Sequence, residues 1–179
     1  DDLKIKNIHI IKTRYPKNFN PYTKMTLNGL KGFKYCFEKL KMDRAFYLED
    51  DIEVAFDFLK FGNFILDKYR YDSNFFAFNG FSAETFNKNK LSIYSKFSFG
   101  IGKGWAINRN NWIYIKKMWN KKFIYSNKPM YDNPIEEYIK KNGKFVIMPL
   151  CSRTLEMKSF GVSINYITNR DYFYKMKNS

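Results

Sequence analysis

Three consecutive carboxylates, Glu49-Asp50-Asp51, follow directly on the apolar run Ala45-Phe46-Tyr47-Leu48. That run predicts a short buried strand over 45–48. Three adjacent like charges cannot share a hydrophobic interior, because each ionised carboxyl loses its hydration and gains only repulsion. The chain must therefore leave the sheet where the triplet begins. Such a cluster suits a hard divalent cation, Mn2+ or Mg2+, which takes oxygen ligands and often combines one or two carboxylates with substrate phosphates. An acidic loop on a plain surface has the same sequence, so the triplet alone does not choose between the two.

The rest of the chain alternates between two periods. Residues 5–13 predict a strand, with the single histidine, His9, inside it. Two prolines mark a loop over 15–21. Leu27, Leu30, Phe33, Phe37 and Leu40 recur every three or four residues, which predicts a helix over 23–40. A second amphipathic helix is expected over 56–68, a strand over 74–78, and a polar loop over 79–90. Residues 105–107 begin a further ordered stretch. Helices follow over 110–119 and 133–142, the latter with Pro134 in its first turn and Gly143 stopping it. A strand over 144–148 ends at Pro149, and 152–163 reads as a loop, with an unassigned tail from 165. Alternating strands and helices imply an α/β class. The 179 residues contain no repeat or low-complexity linker, so 1–179 is read as one domain.

Composition narrows the function classes. A 45% hydrophobic and 20% aromatic content excludes a disordered chain. No apolar run reaches the ~18–20 residues that span a bilayer. The net charge of +15, from 32 Lys+Arg against 17 Asp+Glu, points to anionic partners. The lysines are scattered, however, and a Lys-, Asn- and Ile-rich composition also arises without selection for a basic surface. A specific nucleic-acid partner is therefore not expected, although a basic nucleic-acid-binding domain is the rival that this charge supports. One histidine and two cysteines without metal-ligand spacing, Cys36 and Cys151, argue against zinc and against Ser-His or Cys-His catalysis. Both cysteines lie in apolar surroundings that suit core residues, with one disulfide as the alternative.

Three other segments carry candidate chemistry. In Met130-Tyr131-Asp132-Asn133-Pro134 an Asp stands just before a helix start, where it can cap the helix or act as a general base. Phe99-Gly100-Ile101-Gly102-Lys103-Gly104-Trp105 lacks the Gly-x-Gly-x-x-Gly spacing of a dinucleotide loop and instead suits a close backbone approach. Cys151-Ser152-Arg153-Thr154, followed by Phe160-Gly161-Val162-Ser163, offers hydroxyls and a guanidinium of the kind that grip phosphate, and equally a surface loop.

Taken together, these segments resemble the N-acetylglucosaminyltransferase I family, which includes the protein O-mannose-linked relative and consists of inverting glycosyltransferases of GT-A fold. Leu48-Glu49-Asp50-Asp51-Ile52-Glu53-Val54 is similar to the family's Glu-Asp-Asp hallmark. Phe99 to Trp105 is similar to its Phe-x-Gly-x-Gly-Trp segment with one inserted residue. Tyr131-Asp132-Asn133 is similar to its aromatic-Asp-Asp, and Ser152-Arg153-Thr154 with Gly161-Val162-Ser163 to its Ser-Arg-Thr and Gly-Val-Ser.

The resemblance implies a GT-A-like, Rossmann-like mixed sheet flanked by helices. It further implies transfer of a sugar, N-acetylglucosamine foremost, from a UDP-sugar to a glycan or glycoprotein acceptor. Asp51 would bind Mn2+ (or Mg2+), Asp50 would lie near the ribose and Glu49 near the sugar. Asp132 would be the catalytic base. Arg153 and Ser163 would close over the donor on a mobile loop, and Asn79, Gly102 and Trp105 would contact acceptor or sugar. Three departures stand against the family pattern. Its first strand–helix unit has no counterpart here, so the domain is expected to be incomplete. A family histidine falls at Asn28. The second Asp of the base motif is Asn133.

Overall fold

The computed structural model describes residues 8–82, 92–126 and 129–156. In chain order the elements are α1 (Pro21–Lys34), a π-helical turn (Tyr35–Lys39), β1 (Arg44–Tyr47), β2 (Ile52–Val54), α2 (Phe58–Lys68), β3 (Phe75–Asn79), β4 (Tyr94–Phe97), β5 (Trp105–Asn108), α3 (Arg109–Met118), α4 (Lys121–Ile124), α5 (Asn133–Lys141), β6 (Phe145–Pro149) and β7 (Thr154–Glu156). Five strands form one mixed sheet in the order β1-β5-β3-β6-β4, and β2 and β7 form a separate two-stranded ribbon. Among the described strands of this sheet only the β3–β6 pairing is parallel; β1–β5, β5–β3 and β6–β4 are antiparallel. The fold is α/β, with helices packed on both faces.

Alternation along the strands divides the core in two. Trp105 and Ile107 of β5 face a cluster with Phe33 of α1, Trp112 and Ile115 of α3, and Ile135 and Ile139 of α5. Ala106 faces the other side, where Phe58, Ile65 and Leu66 of α2 pack with Phe78. In β3 the alternation breaks. Phe75 and Phe78 face α2 while Phe76 and Ala77 both face the larger cluster, because the β3–β6 register slips between Phe75 and Ala77. One extra residue in a strand turns the following side chains to the opposite face.

Two expectations from the sequence are corrected. Residues 8–13 form no strand, and Ile8 and Ile10 are 70% and 80% exposed. Strand propensity without a partner strand or a face to bury does not make a strand. His9 is accordingly exposed, and its Nδ1 meets the Tyr35 hydroxyl at 3.0 Å. The helix expected over 23–40 stays α-helical only to Lys34, then widens so that the Leu40 amide donates to the Tyr35 carbonyl, five residues back, at 2.9 Å. Cys36 and Cys151 are free thiols. Among the described residues no helix is long and apolar enough to cross a membrane.

Candidate functional site

The sheet register brings the chemistry to one end. Tyr47, the last residue of β1, pairs with Trp105, the first of β5, and Asn79, the last of β3, pairs with the same Trp105. Because β6 runs parallel to β3, its exit at Pro149 lies at that end as well. The acidic triplet, the glycine segment before β5 and the β6–β7 connection therefore leave the sheet side by side, at the carboxyl ends of β1, β3 and β6. In open α/β sheets this is where ligands usually bind. Three backbone hydrogen bonds tie the segments together. The Gly80 amide donates to Gly104 at 2.7 Å, Arg153 to Gly80 at 2.7 Å, and Ala55 to Arg153 at 2.9 Å.

The decisive contact crosses 82 residues of chain: the Tyr131 hydroxyl donates to Glu49 Oε1 at 2.6 Å. Tyr131 is buried, its ring stacked on Trp105 and set edge-on to Trp119, while the Trp119 indole N–H donates to its carbonyl at 2.8 Å. A tyrosine held from both ends fixes the residue beside it. That residue, Asp132, caps α5 by accepting the Asn133 amide at 3.1 Å. The base candidate and the triplet thus share one neighbourhood. The glycine segment closes over it, since a side chain added at Gly102 would lie 3.6 Å from the Tyr131 hydroxyl. Gly102 and Gly104 take φ of +138° and +86°, the region that favours glycine, and at Gly104 a Cβ would stand 2.6 Å from Thr154.

The electrostatics report the same gathering. Burial is the largest cause pushing the Glu49 carboxyl above its ordinary value; the charges of Asp51, Asp132 and Glu156 push the same way, and the Tyr131 bond opposes them. Asp132 is also raised, first by burial and then by Glu136, against two backbone hydrogen bonds that lower it. Tyr131 is driven well above 10, first by burial, and stays protonated. Glu156 lies in register with Ile52, next to the triplet, and pairs with the Lys103 ammonium at 2.7 Å. Among the described residues no three His, Cys, Asp or Glu side chains are gathered closely enough to hold a metal ion between them.

These shifts carry a sign. A carboxyl whose folded value is raised binds its proton more readily folded than unfolded, so its ionisation destabilises the fold. The stability is greatest below the unfolded value, near 4.5 for Glu49, and declines as pH rises through the raised folded value. Glu49→Gln keeps an oxygen for Tyr131 and removes the charge. With divalent metal chelated, the variant is expected to melt above the wild type at pH 7, the gap closing as pH falls toward 4.5. Equal melting temperatures at pH 7 would mean that burying this charge costs nothing.

No family model matches the chain. A curated relative in Arabidopsis thaliana, an alpha-1,3-mannosyl-glycoprotein 2-beta-N-acetylglucosaminyltransferase, is 23% identical over 157 residues. The match takes in 86% of this chain and 34% of that protein, so the chain spans about a third of its relative's length.

The remaining predicted residues are placed differently. Trp105 is fully buried and packs against Phe33, Tyr47 and Tyr131, so no face is left for a sugar. Asn79 is 3% exposed; its amide donates to the Gly100 carbonyl at 2.9 Å and its oxygen accepts the Phe81 amide at 3.2 Å. It braces the glycine segment, which Glu136 holds from the other side through the Gly100 amide at 3.1 Å. Arg153 is 2% exposed rather than on an open loop. Its guanidinium donates to Asp57 Oδ2 at 3.3 Å and to the Cys151 carbonyl at 2.6 Å, and lies 4.4 Å over the Phe61 ring. Ser152 bolts the same connection, accepting from the Ser82 amide at 3.1 Å and donating to the Thr154 carbonyl at 2.7 Å. Asp50 is exposed at the rim and Asp51 half-buried beside it. Ser163, with Gly161 and Val162, lies outside the described residues. Sequence reasoning missed Lys103 and Glu156 as site residues. The only signal was a lysine inserted into a glycine segment.

Proposed function

We propose that the chain is the GT-A-like catalytic part of a metal-dependent inverting glycosyltransferase. In this reading it moves a sugar, N-acetylglucosamine foremost, from a UDP-sugar to a hydroxyl of a glycan or glycoprotein. The observation that carries the reading is the Tyr131–Glu49 hydrogen bond, which sets the Asp132 carboxylate beside the acidic triplet. Similarity to a curated N-acetylglucosaminyltransferase adds weight to it.

Asp132 accepts the proton of the acceptor hydroxyl as its oxygen attacks the anomeric carbon and the bond from that carbon to the diphosphate breaks. A carboxyl raised by burial is a stronger base than an ordinary one, and so better matched to an alcohol proton. Glu49, oriented by Tyr131, accepts a hydroxyl or amide hydrogen bond from the donor sugar. Asp50, at the exposed rim, faces the ribose. Asp51 would hold Mn2+ or Mg2+. A hard ion of this kind accepts one protein carboxylate together with phosphate oxygens. When bound, the ion stabilises the charge that develops on the departing UDP. The glycine segment, pinned by Asn79 and Glu136, walls the site against water.

The test is UDP release by the full-length protein from a panel of UDP-sugars, with an acceptor glycan and Mn2+. Turnover of UDP-N-acetylglucosamine, lost on chelation and in Asp51→Ala, is the expected result. Preference for another sugar would move the assignment to a different donor. Absence of turnover with every donor would overturn the reading.

A further inference from the structure

The candidate site gathers Glu49, Asp51, Asp132 and Glu156, and a diphosphate approaching four carboxylates is repelled unless cations face it. Two basic side chains described near it differ sharply. Arg153 is buried and committed to Asp57 and the Cys151 carbonyl. Lys103 stands at the rim with about a quarter of its side chain exposed, its ammonium 2.7 Å from Glu156 and 4.6 Å over the Phe81 ring.

The backbone at Lys103 is also unusual. Its φ is +49°, between Gly102 and Gly104, both at positive φ. A side chain in the left-handed region is strained, and such strain persists where neighbouring structure enforces it, often at functional sites. Here the enforcement is visible: Gly102 lies over the Tyr131 hydroxyl, Gly104 is bonded to Gly80, and Glu156 anchors the ammonium. The position is aimed, not left to wander.

We propose that Lys103 is a diphosphate-binding residue of this site, a fixed cation that contacts the donor's phosphate oxygens alongside the divalent ion; the inference rests on the glycosyltransferase reading. Glu156 holds the ammonium in place while the site is empty, and the phosphates compete for it when the donor arrives. A lysine suits this task because its three donors swivel on a flexible stem, so it can exchange one anionic partner for another without moving the backbone.

Two roles must be separated: contact with phosphate, and mere neutralisation of Glu156. The probes are inorganic pyrophosphate and UDP, each titrated calorimetrically with Mn2+ into the full-length protein and into Lys103→Met, Lys103→Arg and the double variant Lys103→Met/Glu156→Gln. Lys103→Met is expected to weaken both ligands at least about tenfold, the loss of one charge-assisted phosphate contact, and Lys103→Arg to recover most of the affinity. The double variant is expected to stay weak, although its melting temperature returns toward wild type because no charge is stranded. Wild-type affinity in the double variant would show that Lys103 acts only through Glu156, and equal affinity in the single variant would show that it does not act at all. Either overturns the inference and leaves the enzyme reading standing. A wild-type protein that binds neither ligand overturns both.

Discussion

Asp132→Asn should abolish most of the transfer rate and leave the fold almost untouched. The wild-type carboxylate has two duties, capping α5 through the Asn133 amide and, in the proposed mechanism, taking the acceptor's proton. Asparagine caps a helix about as well as aspartate, so the first duty survives. An amide cannot take up a proton at these pH values, so the second does not. Loss of a general base usually costs about 10²–10⁴-fold in rate. Measured together, kcat/KM for the UDP-sugar should fall in that range while the melting temperature at pH 7 does not fall, because the variant keeps the cap and removes a charge whose burial opposes folding. The wild-type rate should decline as pH drops through the folded value of Asp132, which burial holds above the ordinary 3.8. The variant should lack that acid limb. A variant as fast as the wild type would remove Asp132 from the chemistry.

Arg153→Met is expected to act on stability instead. The guanidinium is almost wholly enclosed and supplies donors to Asp57 and to the Cys151 carbonyl. Methionine keeps contact with Phe61 but strands both acceptors. Breaking a buried pair by removing one partner costs ~3–5 kcal/mol, and Asp57, about a quarter exposed, recovers some hydration, which favours the lower end. Against a typical total of ~5–15 kcal/mol, even that is a large loss. Denaturant unfolding should show it as a fall in midpoint. Adding Asp57→Asn should restore part of the stability by removing the stranded charge. An intact midpoint with weakened UDP binding would return Arg153 to the donor site.

What the sequence discloses, and what it hides, follows from how local each signal is. The helix expected over 133–142 appears as Asn133–Lys141, because Pro134, Gly143 and the Ile135–Ile139 spacing are all local. The strand that carries the acids appears one residue early, as Arg44–Tyr47. The ribbon of β2 and β7 went unforeseen, because three-residue strands exist only through each other. The same distinction divides the site. Glu49 and Asp132 stood out through their neighbours in sequence. The Ser152-Arg153-Thr154 segment suits a phosphate grip and a plain surface loop equally well in sequence, yet all three residues are buried. Hydroxyls and guanidinium groups that satisfy hidden carbonyls have the same composition as those that face a ligand. Asn79 and Trp105, given as acceptor or sugar contacts by the family resemblance, are both buried, and sequence does not distinguish a strand-end polar residue or an aromatic that meets solvent from one that meets the core.

The hydrogen bond between Tyr131 and Glu49 also joins remote parts of the chain. Its partners are separated by 82 residues, the Arg153–Asp57 pair by 96, and the Thr26 hydroxyl reaches the Pro129 carbonyl across 103. Contacts this remote along the chain slow the search for the native state, typically to milliseconds or longer. During that search the acids remain hydrated, and water screens the repulsion between these three neighbours. The charges of Asp132 and Glu156 reach Glu49 only when those distant segments dock, so that part of the repulsion, like the burial, belongs to the folded state alone. A nascent chain still lacking that tyrosine would carry the triplet as ordinary, well-hydrated surface.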